Sequence, residues 1–427
     1  MTASAQNRAS LSRITPSSFK AVLFYIFLFT FLSRFCIGLL TANDILNSEY
    51  AVLARNLIHG NGLSFASMHP TAWRTPMYPL VLAGWMKLFG ASNLALIILN
   101  SFAGAINAVL CGGIARKIFG KTCGIISATL YALIPYLAQK EVITESAWVS
   151  LGLMGGLYLL LNAKKQRPLP NVAASGLLFS FAYLVRPAIG LIPLFIFLSL
   201  LLKAYQKKKI CYLTWAMVFV SVFFFGILPW AIRNKITLGH FYFGQTNFWY
   251  NFYMGNHRNA FDMYPQTSLD SIRQLFPYKE KLPDDEFARE RWHFQKAKEE
   301  IRFTGTMRIV SASLKKLFFL WGIRMTPYMK RIEDPASHYT SNRERSIAEN
   351  LIFTIPYLFL ACFAFLGCWL IRRRLPQLLI FSAGFLLAFS LPHALTCAYS
   401  RHAVPAYFIL IILAAKGIAS LKRGLNI

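Results

Sequence analysis

Long apolar runs alternate with short basic segments along most of the chain. A run of roughly 20 apolar residues can cross the hydrocarbon core of a bilayer as one helix. The pattern predicts ten such spans, at 19–41, 94–115, 122–139, 142–163, 171–186, 187–205, 212–232, 350–371, 375–397 and 403–421. We therefore expect an all-α polytopic membrane protein with about ten transmembrane helices.

The short segments between these spans are strongly basic. With the N-terminus in the cytoplasm, alternation of the spans places 116–121, 164–170, 203–211, 372–374 and the C-terminus on the same side. All of these segments carry Lys or Arg, and none carries Asp or Glu. Because basic residues are retained on the cytoplasmic side, we expect both termini there. Short loops without a cytoplasmic domain favour a bacterial plasma membrane over the endoplasmic reticulum.

Composition supports an integral membrane protein over a soluble enzyme. The 427 residues are 56% hydrophobic and 15% charged, against roughly 45–50% and about 25% in soluble domains. The basic loops supply much of the net charge of +28, so we expect membrane lipids and no nucleic acid among the partners. The seven cysteines lie in apolar runs or at their ends and show no C-x-x-C spacing, which argues against a disulfide framework or a Cys-ligated zinc site.

Two long segments, 42–93 and 233–349, lie on the predicted outer side. Loops of this length are usually functional or disordered, and the aromatic content of both favours function. The chain then divides into three parts. They are a transmembrane catalytic core at 1–232 that includes the first outer loop, a partly helical second outer loop at 233–349, and C-terminal transmembrane helices at 350–427.

Three stretches in these outer loops show the spacing of amphipathic helices. The first begins near Glu49, where Ser48 or Asn47 can cap it, and it ends before Gly60. The second covers about 76–89, and the third covers 308–325. None has the length and apolar character of a span, so we expect interfacial juxtamembrane helices that lie in the membrane plane.

Carboxylates at the predicted outer boundary are the first candidates for chemistry. Asp44 follows the first span, Glu49 begins the first amphipathic helix, and Glu141 and Glu145 share a face near the fourth span. A carboxylate here can act as general base toward an acceptor hydroxyl. The alternative is a solvated helix end, where negative charge is favourable. We expect the latter for Glu141, because Lys140 adjoins it.

Five arginines lie at the same boundary, where the positive-inside bias disfavours basic residues. They are Arg55, Arg74, Arg186, Arg233 and Arg401. Guanidinium groups bind phosphate in bidentate fashion and stay charged, so their convergence would form a site for a lipid-linked phosphate. The alternative for each is snorkelling to lipid headgroups. Arg34 lies inside the first span, where a charge costs roughly 2.5–3.5 kcal/mol, so we expect a functional role or a structural partner.

Four short motifs follow one another between residues 44 and 405. They are Glu49-Tyr50-Ala51-Val52-Leu53-Ala54-Arg55-Asn56-Leu57 with Gly60-Asn61-Gly62; Arg74-Thr75-Pro76-Met77-Tyr78-Pro79; Thr144-Glu145-Ser146; and Pro229-Trp230 with Arg233-Asn234, Leu238-Gly239 and Met254-Gly255-Asn256. The tail from Ser400-Arg401 to Pro405 fits the same series. In this order the segments resemble lipid-linked-sugar glycosyltransferases of the C-type fold (glycosyltransferase family 39-like). The resemblance is to the protein O-mannosyltransferase-like and aminoarabinose-transferase-like branches.

The resemblance implies an inverting transfer at an outward-facing site, without a metal or with weak metal dependence. No cofactor is certain, and a divalent metal stays open. Such enzymes use an acid of the first outer loop as base, about four residues before the tyrosine, where this chain has Leu46. We therefore predict Asp44 as the base and Glu49 as the second candidate. Donor-phosphate contacts are predicted from Arg74, Arg233, Arg186, Arg401 and Arg55, and substrate contacts from Glu145, Tyr50, Tyr78 and Asn256.

The resulting prediction is a hexosyl- or pentosyltransferase that moves a sugar from a polyprenyl-phosphate donor to a hydroxyl of a glycan, lipid or protein. The alternative is a transporter or flippase of polyprenyl lipids or sugars without transferase chemistry. Transporters usually bind substrate near the membrane midplane between inverted repeats, whereas this chain shows no internal repeat and its polar features cluster at one boundary. A third hypothesis is an assembly subunit whose outer loop binds a partner.

Overall fold

The structure is a computed structural model that describes residues 16–42, 44–65, 69–163, 167–258, 281–321 and 347–424. Among these residues the only strand-like pairing is one bridge between Ser64 and Pro70. The helices are α1 (Pro16–Thr41), α2 (Glu49–Ile58), α3 (Met77–Phe89), α4 (Asn93–Phe119), α5 (Lys121–Leu133), α6 (Pro135–Ile143), α7 (Ser146–Ala163), α8 (Pro168–Val185), α9 (Leu191–Lys207), α10 (Ile210–Leu238), α11 (Phe248–Asn256), α12 (Glu286–Thr304), α13 (Thr306–Leu320), α14 (Ile347–Ile371), α15 (Pro376–Leu395), α16 (Ser400–Ala403) and α17 (Tyr407–Gly424). The predicted all-α polytopic fold is confirmed.

Nine helical segments of the described chain are long and apolar enough to cross a membrane. They are Ser18–Thr41, Asn93–Phe119, Ser146–Ala163, Pro168–Val185, Pro187–Lys207, Ile210–Leu238, Thr354–Ile371, Pro376–Leu395 and Ser400–Leu421. Each corresponds to a span predicted from the sequence. The predicted break at Pro187 is also present, because α8 ends at Val185 and Arg186 is extended, with φ −148° and ψ 101°.

The span predicted at 122–139 is a bent pair of helices and not a single helix. Helices α5 and α6 meet there at an angle of 65°, and together they could make a tenth crossing. Pro135 begins α6, and Ile134 before it is extended, with φ −73° and ψ 110°. A proline lacks a backbone N–H and pushes the preceding residue out of the helical region. The bend therefore follows from Pro135, which an apolar run alone does not register.

The bend folds Glu141 inward instead of leaving it at a solvated helix end, so that expectation is wrong. Its carboxylate pairs with Arg34 Nε of α1 at 2.8 Å, and both side chains are fully buried. Asn107 Nδ2 and the Tyr131 hydroxyl also donate to Glu141, at 3.0 Å and 2.6 Å. A buried pair is tolerated where further hydrogen bonds satisfy its charges. Arg34 therefore has a structural partner that joins α1, α4 and the bent pair.

Short helices occupy the three stretches predicted in the two long segments. The Ser48 side chain caps α2 by accepting a hydrogen bond from the Ala51 backbone N–H. Helix α3 is apolar but short, and α13 covers the described part of the third predicted stretch. Residues 259–280 and 322–346 of the second long segment lie outside the described residues.

Basic residues gather at one end of the helix bundle. The Arg116 guanidinium lies over the Phe19 ring at 4.2 Å, which places the end of α4 beside the start of α1. Lys117 donates to Asn162 near the end of α7, and Lys416 lies over the Phe119 ring at 5.8 Å. The candidate site residues lie at the other ends of these same helices.

Candidate active site

The first long segment brings a carboxylate and a guanidinium into direct contact. Glu49 is the first residue of α2, and Arg74 precedes α3. Arg74 Nε and Nη2 each lie 2.6 Å from Glu49 Oε2. The Arg74 guanidinium also lies over the Tyr50 ring at 5.5 Å, and the rings of Tyr50 and Tyr78 pack edge to face at 5.1 Å. Four residues predicted for the site are therefore in contact.

A second ion pair joins the turn before α7 to the turn after α8. Arg186 Nη2 and Nε lie 2.6 Å and 3.1 Å from Glu145 Oε1. Arg186 Nη1 also donates to the carbonyl of His402 at 3.4 Å, which ties the pair to the C-terminal helices. Burial alone would raise the pKa of Glu145, but the Arg186 guanidinium and its hydrogen bonds outweigh burial and lower that pKa to about 2. Glu145 is therefore a stable carboxylate.

The two ion pairs are neighbours. Burial raises the pKa of the Tyr50 hydroxyl, Glu145 and Glu49 raise it further, and Arg74 and Arg186 lower it, so both ion pairs act electrostatically on Tyr50. The Thr75 hydroxyl donates to the carbonyl of Val185 at 3.4 Å, which fixes the residue after Arg74 beside the residue before Arg186. The structure thus brings Glu49, Tyr50, Arg74, Tyr78, Glu145 and Arg186 into one cluster.

Asn100 of α4 supports this cluster and was not predicted. Its Nδ2 donates to the Tyr78 hydroxyl at 3.1 Å and to the carbonyl of Val142 at 2.8 Å. Its Oδ1 accepts from Trp148 Nε1 at 2.9 Å. The sequence could have indicated Asn100, because it is an amide inside an apolar run. Polar residues within the membrane usually face the interior of the helix bundle.

Asp44 lies apart from these contacts. It precedes a short 3-10 helix, Ile45–Asn47, with its side chain exposed. It accepts a hydrogen bond from Asn47, and within the described ranges it forms no ion pair with an arginine. Of the two predicted bases, Glu49 is therefore the one that the structure places in the cluster.

The other three predicted arginines differ in how many hydrogen bonds their guanidinium groups donate to the protein. Arg233 donates to the carbonyls of Thr71 and Leu63, at 2.9 Å and 3.3 Å, so it holds the first long segment in place. Arg401 is exposed and lies over the Tyr399 ring at 5.2 Å. Arg55 is half-buried in α2, and its guanidinium makes no polar contact with the part of the chain described.

Asn256 lies at the end of α11 in a buried polar contact with Lys316. Lys316 Nζ donates to Asn256 Oδ1 and to the carbonyl of Thr396, both at 2.9 Å. Burial lowers the pKa of Lys316 to about 7. Burial raises the pKa of the nearby Cys397 thiol, whereas Lys316, Arg401 and Arg74 lower it. Lys316 is thus the partner of the predicted substrate residue Asn256, although its sequence signal is only a charge within an apolar stretch.

No group of three or more His, Cys, Asp or Glu side chains arranged to hold a metal ion occurs within the described ranges.

Comparisons with known proteins concern both sequence and fold. Residues 69–232 match the sequence model of the dolichyl-phosphate-mannose-protein mannosyltransferase family. This stretch contains Arg74, Tyr78, Glu145 and Arg186 but begins after Glu49. A search of curated protein sequences finds no match.

Solved structures share the fold at low sequence identity. The oligosaccharyltransferase of Archaeoglobus fulgidus in its apo form has a TM-score of 0.53 at 14% identity over 97% of this chain and 52% of its own. The archaeal oligosaccharyltransferase AglB from the same organism, in complex with an inhibitory peptide and a dolichol-phosphate, has a TM-score of 0.52 at 14% identity over 96% of this chain and 51% of its own. This chain therefore spans about half the length of those enzymes.

A third solved structure, ArnT from Cupriavidus metallidurans bound to undecaprenyl phosphate, has a TM-score of 0.38 at 10% identity over 96% of this chain and 80% of its own. The family model and the neighbours are glycosyl- and oligosaccharyltransferases. The family match over residues 69–232 and the fold shared with the two archaeal oligosaccharyltransferase structures bear out the resemblance to C-type-fold glycosyltransferases. The chain is an integral, multi-pass membrane protein with that fold.

Proposed function

We propose that the chain transfers a sugar from a polyprenyl-phosphate donor to an acceptor hydroxyl, with inversion, at the outer face of the membrane. The observation that carries the proposal is the cluster around Tyr50, where a half-exposed Glu49–Arg74 pair adjoins a buried Glu145–Arg186 pair. Such a cluster offers a reachable carboxylate and fixed positive charge side by side. The reaction needs both of these groups.

In the proposed reaction the acceptor hydroxyl gives its proton to the base as its oxygen attacks the anomeric carbon. The bond from that carbon to the phosphate oxygen breaks, and polyprenyl phosphate leaves with the bonding electron pair. Arg74 stabilises the negative charge on the leaving phosphate, and the uncommitted guanidinium groups of Arg401 and Arg55 are available to assist. When Arg74 turns to the phosphate, Glu49 loses its partner and becomes free to accept the proton.

Glu49 is the preferred base on geometric grounds, and Asp44 is the second candidate. The Glu49 side chain is 45% exposed and contacts Arg74, so a substrate can reach it next to the phosphate-binding group. A polyprenyl-phosphate donor is supported by the matching family model and by AglB, which is seen with a dolichol-phosphate. The acceptor is a glycan, lipid or protein hydroxyl, and the proposed location is a bacterial plasma membrane with both termini in the cytoplasm.

A transfer assay tests this function. Purified protein in proteoliposomes is given a panel of synthetic undecaprenyl-phosphate sugars, and sugar transfer to co-extracted acceptors is followed by mass spectrometry. We expect wild-type protein to transfer sugar and Glu49→Gln to lower kcat by roughly 100-fold or more, the typical contribution of a general base. Asp44→Asn is expected to have a smaller effect. Glu299→Gln, an exposed carboxylate of α12, is the matched control.

Two results would contradict the proposal in different ways. Undiminished transfer by both Glu49→Gln and Asp44→Asn would exclude a first-segment carboxylate as the base. Movement of the lipid-linked sugars across the bilayer, without transfer by wild-type protein, would favour the transporter alternative.

A further inference from the structure

Residues 71–73, here called the strap, run directly before Arg74. Every backbone carbonyl of the strap accepts a hydrogen bond from a residue that follows in α10 or in the second long segment. Arg233 Nη1 donates to the carbonyl of Thr71 at 2.9 Å. The Thr246 backbone N–H donates to the carbonyl of Ala72 at 3.0 Å. Asn247 Nδ2 donates to the carbonyl of Trp73 at 3.1 Å.

Two donors of the strap meet at one carboxylate, that of Glu286 at the start of α12. The Thr71 hydroxyl donates to Glu286 Oε2 at 2.8 Å, and the Ala72 backbone N–H donates to Glu286 Oε1 at 3.0 Å. The Thr246 hydroxyl also donates to Glu286 Oε1. The Trp73 backbone N–H donates to the Thr71 hydroxyl oxygen at 3.0 Å. Glu286 therefore orients the Thr71 hydroxyl, and that hydroxyl holds the peptide before Arg74.

We propose that Glu286 is a positioning residue of the active site, which acts through the Thr71 hydroxyl and the strap to aim Arg74 at Glu49. This inference rests on the proposed function. Glu286 contacts none of the residues assigned to the reaction, so its effect passes through the strap. In this proposal the second long segment contributes to the site, because its Glu286 positions Arg74 of the first long segment.

A carboxylate suits this position better than its amide. Three donors meet its two oxygens, whereas a glutamine would offer a single acceptor oxygen and would present an amide donor to another donor. Burial raises the pKa of Glu286, while the hydrogen bonds from Thr71 and Ala72 oppose that shift and favour the ionised form. Replacement by glutamine should therefore release part of the strap without removing side-chain volume.

Transfer kinetics of the full-length chain test the inference, with the same synthetic undecaprenyl-phosphate sugars. We expect Glu286→Gln to lower kcat by about 10- to 100-fold, the loss typical of a misplaced catalytic group, with the donor KM changed less than kcat. Thr71→Val, which removes the hydroxyl, should do the same, and Thr71→Ser should restore activity. The double variant should be no slower than the worse single variant, because both changes break one chain of hydrogen bonds.

Two further variants separate positioning from general docking of α12. Glu299→Gln leaves the strap contacts intact and should match wild type. Glu290 lies on the same helix as Glu286 and accepts from the Trp249 backbone N–H at the start of α11. Glu290→Gln leaves one acceptor oxygen there in place of a charged carboxylate, so it should lower the thermal midpoint while kcat stays within about threefold of wild type. An equal fall of kcat in Glu290→Gln and Glu286→Gln, or unchanged kcat in Glu286→Gln, would overturn the inference. Absence of transfer by wild-type protein would instead count against the proposed function.

Discussion

Burial distinguishes the two ion pairs at the level of single residues. The Glu145 and Arg186 side chains are 14% and 8% exposed, whereas those of Glu49 and Arg74 are 45% and 27% exposed. Removing one partner of a buried pair leaves an uncompensated charge, while an exposed pair contributes little to stability. The Glu145–Arg186 pair therefore stabilises the fold. The more exposed Glu49–Arg74 pair can separate at little cost in stability.

Stability measurements should separate the two pairs. We expect Glu145→Gln to lower the free energy of unfolding by roughly 3–5 kcal/mol, because Arg186 stays buried without its countercharge. Glu49→Gln should cost less than about 1 kcal/mol while it abolishes most of the transfer. Chemical unfolding of the purified protein in detergent gives the comparison, and equal losses in the two variants would contradict it.

The same pair predicts how stability depends on pH. The pKa of Glu145 falls from its ordinary value of 4.5 to about 2 in the folded protein. A lowered pKa means that the pair stabilises the fold above the ordinary value and that this contribution is lost as the pH falls toward the folded value. The difference in thermal midpoint between wild type and Glu145→Gln should thus be full at pH 6–7 and shrink below about pH 4.5. A constant difference down to pH 3 would show that another contact is responsible.

The sequence predicts candidate site residues from their chemistry but does not predict their contact partners. Glu49, Arg74, Glu145 and Arg186 were predicted from residue type and predicted position in the membrane, and they do come together. Arg233 has the same signature, yet it binds backbone carbonyls, and Glu141 beside Lys140 is buried against Arg34. Contact partners depend on how distant helices pack, and Arg34 and Glu141 are 107 residues apart, so local pattern cannot supply them.

At the scale of helices, apolar length predicts where a span occurs but not how it is shaped. The two spans predicted on either side of Pro187 are present. The helix before Pro187 ends at Val185, where the sequence predicts a break. Pro135 lies inside the span predicted at 122–139, and the helix bends there by 65°. The bend brings Glu141 of α6 into contact with Arg34 of α1. Gly104 of α4 lies directly against both side chains.

Gly104 provides the space that this packing needs. A Cβ at that position would lie 2.5 Å from Arg34 Nε and 3.0 Å from Glu141 Oε2. We expect Gly104→Ala to displace the buried pair and to lower the free energy of unfolding by about 1–3 kcal/mol, as overpacking does. Gly84→Ala in α3 is the matched control, since a Cβ there would meet no atom within 4 Å. Thermal unfolding of both variants decides, and a loss as large in Gly84→Ala would point to a general effect of alanine.

At the scale of the whole molecule, the basic turns and the candidate site lie at opposite ends of the helix bundle. Helix α15 begins just after the basic turn 372–374 and ends just before Thr396. The carbonyl of Thr396 accepts from Lys316, which also contacts the predicted substrate residue Asn256. Its 20 residues span about 30 Å at 1.5 Å per residue, close to the thickness of the hydrocarbon core. A membrane would therefore separate the basic turn from the site.

Orientation in the membrane decides which substrates reach the site, and it can be measured with two single cysteines. In a background without the native cysteines, Glu299→Cys marks the site end and Arg373→Cys marks the basic end. Because basic segments stay in the cytoplasm, we expect a membrane-impermeant maleimide to label Glu299→Cys in intact cells and Arg373→Cys only after permeabilisation. The reverse pattern would place the Glu49–Arg74 pair on the cytoplasmic side, and a donor or acceptor confined to the outer leaflet could then not reach it. Labelling of both positions only after permeabilisation would be incompatible with a chain that crosses the membrane between them.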